Sequence, residues 1–190
     1  MQKKIVLIGA GYWGTNIANN LVKLGIKKFW LYDSYKKSSA ILKKRFPKNI
    51  RIISNLDKFY KDKNFKYFIY ATPPSKNFKL IIPALKTKKI IFIEKPGFKN
   101  LNEINFIMKK YPKEVKSIMF GYIYMFNNHI NYIKKFINNR KNGKILYIKF
   151  QRQNLGPIRN DVDAFADLAT HDLSILKFLF KKKIELKNYT

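Results

Sequence analysis

Three short groups of residues in this chain could perform chemistry together, although they lie far apart in the sequence. The first is Gly9-Ala10-Gly11-Tyr12-Trp13-Gly14, whose glycine spacing is typical of a turn that binds the pyrophosphate of a dinucleotide. The second, Glu94-Lys95-Pro96, supplies an amine, and the third, Asp167-Leu168-Ala169-Thr170-His171-Asp172, supplies an imidazole. An amine and an imidazole could bind a substrate hydroxyl and accept its proton. Together the three groups favour hydride transfer to a bound dinucleotide.

The glycine turn lies where a dinucleotide site needs it, after a predicted strand and before a predicted helix. Lys4–Ile8 is a buried β run, and Tyr12–Leu24 has helical apolar spacing. Gly9 would permit the tight turn, Gly11 would let the pyrophosphate approach the backbone, and Gly14 would let the helix pack closely on the strand. The alternative is a purely structural turn, but the flanking elements favour nucleotide binding.

A carboxylate stands at the expected distance from this turn. Asp33 ends the second predicted strand, where an acidic side chain can accept hydrogen bonds from both ribose hydroxyls of the adenosine. A 2′-phosphate would meet the negative charge of Asp33, so the sequence predicts NAD, with NADP the less favoured coenzyme. Lys36 and Lys37 follow closely and weaken that preference, because they could pair with a phosphate.

Two further segments follow predicted strands and are expected at the ligand-binding edge of the sheet. Ala71-Thr72-Pro73-Pro74 follows the fourth strand, and Glu94-Lys95-Pro96 follows the fifth. In open α/β sheets, ligands bind beyond the carboxyl ends of the strands. Either segment could instead be an ordinary proline-stiffened loop. Lys95 is one of 35 lysines, so a functional role for it depends on its position, where its ammonium could point at a substrate oxygen.

Asp167 and His171 are spaced i, i+4 and are therefore expected on one face of a helix predicted over Asp163–Phe180. A carboxylate beside an imidazole can fix its tautomer, and His171 could then accept the proton of a substrate hydroxyl. The alternative is a core histidine that a local carboxylate satisfies. His129 lies in a polar stretch and is expected at the surface. A metal site is not expected, because the two histidines are far apart and the chain has no cysteine.

Strands and helices alternate through residues 1–121, which predicts a Rossmann-type, doubly wound parallel sheet of the α/β class. The predicted strands are Lys4–Ile8, Lys28–Tyr32, Ile50–Ile53, Tyr67–Ala71, Ile90–Ile93 and Ser117–Gly121. The predicted helices are Tyr12–Leu24, Ser38–Phe46, Leu56–Lys61, Phe78–Leu85 and Leu101–Lys110. Pro83 is expected to kink or end the fourth of these helices.

The pattern of elements changes after residue 121. A helix is predicted over Asn128–Asn139, a strand over Lys144–Arg152, a long apolar helix over Asp163–Phe180 and a short strand over Lys183–Leu186. No low-complexity linker separates this part of the sequence from the first domain.

The composition argues against several classes of protein. With 46% hydrophobic residues the chain can bury a core, and its short amino-terminal apolar run lacks the features of a signal peptide. No stretch is apolar for long enough to span a membrane, so a cytoplasmic protein without membrane contact is expected. The net charge of +29 could indicate nucleic-acid binding. However, 35 lysines against 5 arginines, spread along the chain, fit codon bias toward A and T, and we expect no nucleic-acid partner.

The motifs taken together resemble those of the Gfo/Idh/MocA family (glucose-fructose oxidoreductase and inositol dehydrogenase), especially its nucleotide-sugar 3-dehydrogenases. The glycine turn with Tyr12 and Trp13, the segment Ala71–Pro74 and the segment Glu94–Pro96 are similar to the family's cofactor motifs. The run from Arg152 through Val162 to Asp172 resembles the start of the subgroup's substrate domain. By this resemblance the coenzyme-binding residues are Gly9, Gly11, Tyr12, Trp13, Gly14, Asp33, Thr72, Pro73, Glu94 and Lys95.

The resemblance also implies a reaction. Lys95 would bind the reacting hydroxyl, His171 would be the acid/base, and Asp167 would orient His171. The side chains that would contact the substrate are Arg152, Asn154, Arg159 and Asp172. The implied activity is an NAD-dependent oxidation of a secondary hydroxyl on a sugar, nucleotide sugar or cyclitol.

The resemblance implies that residues 122–190 are the start of a second, incomplete α/β domain that serves substrate binding and oligomerisation. Family members are longer, and their full second domain often mediates dimers or tetramers, so a homo-oligomer is expected if that domain exists here. Two alternatives to the dehydrogenase stay open. One is a catalytically silent NAD-binding protein that serves as a sensor or scaffold. The other, less favoured, is a basic nucleic-acid-binding protein.

Overall fold

The computed structural model describes residues 4–153 and 165–180. The chain divides into two compact units, Met1–Gly121 and Tyr122–Thr190. The two units are described separately below.

The first unit is built on one six-stranded sheet in which every pair of neighbouring strands is parallel. The strands are β1 (Lys4–Ile8), β2 (Phe29–Tyr32), β3 (Ile50–Ile52), β4 (Phe65–Tyr70), β5 (Ile90–Ile93) and β6 (Ile118–Phe120). Their order across the sheet is β3-β2-β1-β4-β5-β6. β1 lies in the middle of the sheet, with β2 and β3 on one side of it and β4, β5 and β6 on the other. The boundary between β1 and β4 is therefore the topological switch point of a doubly wound fold. The predicted fold class is confirmed.

Five helices connect these strands: α1 (Tyr12–Lys23), α2 (Lys36–Arg45), α3 (Leu56–Lys61), α4 (Pro74–Lys86) and α5 (Leu101–Lys110). The sheet is buried on both faces. Successive side chains of a strand point to opposite faces of the sheet, and each face carries its own apolar cluster. Val6 and Ile8 belong to one apolar cluster, whereas Leu7 between them belongs to the other. The two clusters hold the helices against the sheet and so fix where each strand ends.

Several predicted boundaries in this unit differ from the structure by one or two residues, and the start of the fourth helix differs by more. The helix expected over Phe78–Leu85, with Pro83 as a kink or boundary, runs instead as α4 from Pro74 through Pro83 to Lys86. Proline removes one backbone hydrogen bond, but Pro83 stands in the last turns, and its neighbours Ile81 and Ala84 are fully buried. Apolar packing against the sheet therefore outweighs the local cost.

The second unit, as far as residues 122–153 and 165–180 show it, is helical. It contains a short 3₁₀ turn at Ile123–Phe126, then α6 (Asn128–Asn138). A π-helical segment over Phe165–Ala169 leads into α7 (Thr170–Phe180). The helix predicted to start at Asp163 thus changes its winding before Thr170, and Asp163 itself lies outside the described residues.

The strand predicted over Lys144–Arg152 is wrong, because the structure shows irregular backbone there. Alternating apolar residues cannot form a strand alone, since the backbone groups need a neighbouring strand to bond. Within the described ranges no such neighbour pairs with this segment, and Leu146 and Tyr147 are both exposed (91% and 83%). The strand predicted over Lys183–Leu186 lies outside the described residues.

In the residues that the structure covers, none of the helices combines the length and apolar character needed to cross a membrane.

Candidate functional site

The glycine turn after β1 is shaped by backbone contacts that exclude larger side chains. Gly9 has φ +102°, and a Cβ there would overlap the backbone carbonyl of Ala71. A Cβ on Gly14 would overlap the carbonyl of Gly9. The turn, the start of α1 and the end of β4 therefore approach one another as closely as backbone allows, as predicted for Gly9 and Gly14.

Gly11 differs from both of these glycines. Its φ is −74°, and a Cβ placed on it would meet no atom of the described residues within 4 Å. The first turn of α1 carries no acidic residue and its cap makes no side-chain hydrogen bond, so its backbone N–H groups stay available for an anion. Open space over Gly11 beside a helix start fits the approach of a pyrophosphate.

Tyr12 and Trp13 flank this opening on the first turn of α1. Both rings are exposed (77% and 46%), and they meet edge to face with their centroids 5.5 Å apart. Their position beside Gly11 leaves them available to a ligand lying over the turn.

Asp33 ties the turn to the end of β2. Its Oδ2 accepts a hydrogen bond from the backbone N–H of Ala10 (2.7 Å) and its Oδ1 accepts one from Tyr35 (2.7 Å). An ionised carboxylate has about four lone-pair sites, so it retains acceptor capacity for ribose hydroxyls. Asp33 therefore orders the turn and still suits the role predicted from the sequence.

A cavity of about 490 Å³ opens beyond the ends of β1, β2 and β4, at the switch point of the sheet. Five of the predicted coenzyme residues line it: Gly9, Gly11, Asp33, Thr72 and Pro73. The same lining includes Ser34, Ser38, Lys76 and Lys79, which the sequence did not single out. Tyr12, Trp13, Gly14, Glu94 and Lys95 are not in its lining. The structure thus gathers one half of the predicted set around a single cavity, and the other half lies outside its lining.

Asn77 is a buried polar residue that the sequence analysis missed. Its side chain is fully buried on α4, where its Oδ1 accepts from Thr72 Oγ1 (2.5 Å) and its Nδ2 donates to the backbone carbonyl of Gly97 (2.7 Å). The only indication in the sequence is an amide on the face that α4 otherwise fills with apolar residues such as Ile81. Asn77 connects the segment after β4 to the turn after β5.

Glu94 and Lys95 begin that turn, and both are half-buried. Burial raises the pKa of the Glu94 carboxyl, and a hydrogen bond from the Lys95 backbone together with the Lys95 charge opposes the increase. The carboxylate lies over Gly121, where an added Cβ would stand 3.0 Å from Glu94 Oε2. The peptide bond between Lys95 and Pro96 is cis. Because Glu94 and Lys95 directly follow β5, Lys95 lies at the same carboxyl edge of the sheet as the glycine turn.

In the second unit, Arg152 and Asp172 form a two-pronged ion pair. Arg152 Nη2 and Asp172 Oδ1 are 2.7 Å apart, and Arg152 Nε lies 3.1 Å from each carboxylate oxygen. Hydrogen bonding to Asp172 raises the pKa of Arg152 above its usual range. Arg152 also lies against the Tyr124 ring, which meets the His171 ring edge-on at 5.0 Å. Three predicted residues thus gather around Tyr124, an aromatic residue that the sequence analysis did not single out.

His171 lies on the first turn of α7, directly after the π-helical segment that contains Asp167. Its backbone carbonyl accepts from Ser174 Oγ (2.7 Å). π-Helical segments often occur at functional positions, but the orientation of His171 by Asp167 stays a prediction. So does the convergence of Lys95 and His171, which belong to different units. Asn154 and Arg159 lie outside the described residues.

Within residues 4–153 and 165–180, no three His, Cys, Asp or Glu side chains form a cluster that could hold a metal ion.

Comparison with known proteins decides the family. A family model described as "Oxidoreductase family, NAD-binding Rossmann fold" matches residues 3–122. The chain belongs to the Gfo/Idh/MocA family. Its first unit is accordingly an NAD-binding Rossmann fold, and the predicted coenzyme class is confirmed. The nucleotide-sugar subgroup within the Gfo/Idh/MocA family stays a prediction. No curated protein sequence matches the chain at a significant level.

Several solved structures share the fold. A probable dehydrogenase from Thermotoga maritima superposes with a TM-score of 0.78 at 20% identity, covering 96% of this chain and 56% of that one. A myo-inositol dehydrogenase from Corynebacterium glutamicum superposes with a TM-score of 0.76 at 18% identity, covering 94% and 55%. GenD2 from gentamicin A biosynthesis, solved in complex with NAD, gives 0.73 at 14% identity, covering 93% and 53%. The chain thus spans a little over half the length of these structures.

Proposed function

We propose that this chain acts as an NAD-dependent dehydrogenase that oxidises a secondary hydroxyl of a sugar, nucleotide sugar or cyclitol. The observation that carries the proposal is the open glycine turn at the switch point of the sheet, with Lys95 at the same carboxyl edge. The substrate class draws support from fold relatives described as a myo-inositol dehydrogenase and as a protein of gentamicin A biosynthesis.

The residues present fit a dinucleotide. The space over Gly11 and the free N–H groups of α1 suit a pyrophosphate, and the cavity beside Asp33 suits the adenosine. Asp33 favours NAD over NADP, because its negative charge would oppose a 2′-phosphate. Lys76 and Lys79 also line this cavity, and their charge moderates the preference.

The catalytic assignment follows from the chemistry of two side chains. When bound, NAD supplies the nicotinamide that accepts a hydride from the substrate carbon. The Lys95 ammonium donates a hydrogen bond to the reacting hydroxyl and stabilises negative charge that develops on its oxygen. The imidazole of His171 accepts the hydroxyl proton, so that the secondary alcohol becomes a ketone. Asp167 accepts a hydrogen bond from one ring nitrogen of His171, so that the other ring nitrogen can accept the proton.

The substrate contacts are proposed around the same histidine. Arg152 shares its guanidinium between Asp172 and Tyr124, so Asp172 fixes the plane in which the guanidinium presents its remaining N–H donors. Sugar hydroxyls and phosphates accept such donors readily. Asn154 and Arg159 are proposed to complete this set.

The test is reduction of NAD by a panel of polyols. Purified protein is mixed with NAD and, in turn, myo-inositol, free pyranoses and UDP-linked hexoses, and absorbance of the reduced coenzyme is followed. Turnover with at least one member is expected. His171→Ala should lower turnover by roughly 10²–10⁴-fold, the usual contribution of a general base, while NAD affinity measured by calorimetry holds.

Two outcomes would point elsewhere. NAD binding without turnover on any substrate favours the silent sensor or scaffold. Affinity for DNA or RNA that falls steeply with salt would favour the nucleic-acid-binding alternative. Full activity in His171→Ala would remove the proton-acceptor role while leaving coenzyme binding intact.

A further inference from the structure

We propose that Asn77 is a positioning residue that transmits coenzyme binding at Thr72 to the placement of Lys95. This inference rests on the proposed function, since it assumes that the coenzyme occupies the cavity beside Thr72 and that Lys95 serves the reaction. It concerns a side chain that does not itself line the cavity.

The amide bridge is geometrically defined at both ends. The Gly97 carbonyl can only accept a hydrogen bond, so the Asn77 amide nitrogen must face it, at 2.7 Å. The amide oxygen then faces Thr72 Oγ1 at 2.5 Å, and the Thr72 hydroxyl must be the donor. The proton of Thr72 is therefore committed to Asn77, and its remaining lone pairs are left to accept from a ligand in the cavity that Thr72 lines.

The far end of the bridge lies in the turn that carries Lys95, and hydrogen bonds hold this turn on both sides of Lys95. On one side of Lys95, the Glu94 N–H donates to the carbonyl of Tyr70 at the end of β4 (3.0 Å). On the other side, the Gly97 carbonyl accepts from Asn77. The partners of these two hydrogen bonds are Tyr70 at the end of β4 and Asn77 on α4. The backbone on each side of Lys95 is thus hydrogen-bonded to a residue of the Tyr70–Asn77 region.

Tight packing around Asn77 and Gly97 restricts movement of both residues. Asn77 is fully buried, so water cannot replace either hydrogen bond. Gly97 is also buried and has φ +91°, and a side chain at this position would overlap the Phe120 ring. A shift of Thr72 is therefore passed to Gly97 rather than absorbed by loose packing.

The chain offers a matched control in Asn49. Its Nδ2 likewise braces two backbone carbonyls, those of Ile26 (3.1 Å) and Lys27 (3.2 Å), just before β2. Asn49 thus stands at the amino edge of the sheet, opposite the coenzyme cavity. Asn49→Ala removes a comparable brace without touching the proposed path.

The experiment measures amide hydrogen exchange by mass spectrometry with and without saturating ADP. ADP carries adenosine and pyrophosphate but no nicotinamide, and the cavity lining that Thr72 shares does not include residues 94–98. In wild-type protein and in Asn49→Ala, ADP should slow exchange several-fold both at residues 9–14 and at residues 94–98. In Asn77→Ala, the slowing should persist at residues 9–14 and disappear at residues 94–98.

A second variant keeps the inference testable if Asn77→Ala fails to fold. Thr72→Val removes the donor at the cavity end and leaves the bond from Asn77 to Gly97, and it should abolish the same ADP effect at residues 94–98. In turnover assays, Asn77→Ala should lower kcat more than it raises the KM for NAD, whereas Asn49→Ala should change neither.

The failure of the inference can be told from that of the proposed function. Equal slowing at residues 94–98 in wild type, Asn77→Ala and Thr72→Val overturns the bridge and leaves the dehydrogenase standing. Slowing confined to residues 9–14 in wild type also overturns it. No slowing at residues 9–14 in wild type removes coenzyme binding at the turn, and the inference falls with the proposed function.

Discussion

The three glycines of the first motif have different physical duties, which only their surroundings reveal. At Gly9 and Gly14 a methyl group would overlap backbone atoms of the protein itself, whereas at Gly11 it would project into space that is open among the described residues. The first two glycines therefore serve the fold, and the third borders the space in which we propose that the coenzyme binds.

This contrast predicts opposite phenotypes for two equally small substitutions. Gly14→Ala should destabilise the protein by about 2 kcal/mol or more through overpacking, a fall in Tm of roughly 4–8 °C for a chain of this length. Gly11→Ala should change stability by less than about 0.5 kcal/mol yet weaken NAD binding by about tenfold or more, because the methyl group occupies the ligand's path. Thermal unfolding and calorimetric titration with NAD measure the two effects. Stable, NAD-competent Gly14→Ala protein would contradict the packing account.

At the scale of the elements, the carboxyl ends of the parallel strands decide which residues meet. The glycine turn follows β1, Asp33 follows β2, Thr72 follows β4 and Lys95 follows β5. Because all these strands are parallel, their ends share one edge of the sheet. Burial at that edge also places the Glu94 carboxyl where its pKa is raised.

The raised pKa of Glu94 predicts a pH-dependent cost in stability. Between the ordinary and the raised pKa the folded protein binds more protons than the unfolded chain, so stability falls as pH rises through that window. Glu94→Gln removes this contribution and keeps an oxygen that can accept from the Lys95 backbone. The Tm of the variant should therefore exceed that of wild type by more at pH 7 than at pH 4. A difference in Tm that stays constant over this range would show that burial of Glu94 carries no such cost.

At the scale of the whole molecule, the coenzyme cavity belongs to one unit. Every residue lining it lies between Ile8 and Leu80, inside the compact unit Met1–Gly121. The residues proposed to handle substrate, His171 and Arg152, lie in the other unit. Coenzyme binding and substrate turnover should therefore be separable by truncation.

A fragment comprising residues 1–121 tests this division. It should fold, bind NAD with a Kd within about threefold of that of the whole chain, a difference below about 1 kcal/mol, and show no turnover. Circular dichroism and calorimetry measure folding and affinity. A folded fragment that binds NAD much more weakly would mean that the second unit contributes to the coenzyme site.

Much of the first unit could be predicted from sequence because its determinants are local. Short apolar runs separated by helical patterns indicated the parallel sheet, and the glycine spacing with Asp33 indicated the coenzyme. Predictions were wrong where tertiary context overrode local preference: the packed face of α4 carried the helix through Pro83, and the segment Lys144–Arg152 has no described neighbour with which to pair as a strand.

The sequence by itself determined the fold class and the coenzyme class and supplied candidate site residues, because strand–turn–helix patterns and glycine spacing act over a few neighbouring positions. Only the tertiary structure decided which of those residues share a space. Gly11, Asp33 and Thr72 meet at one cavity, and Arg152 is held by Asp172 across 20 positions of the chain. The role proposed for Asn77 could be inferred only from the structure, which shows its amide buried and bonded to Thr72 and Gly97. A hydrogen bond between distant segments leaves no periodic pattern in the sequence.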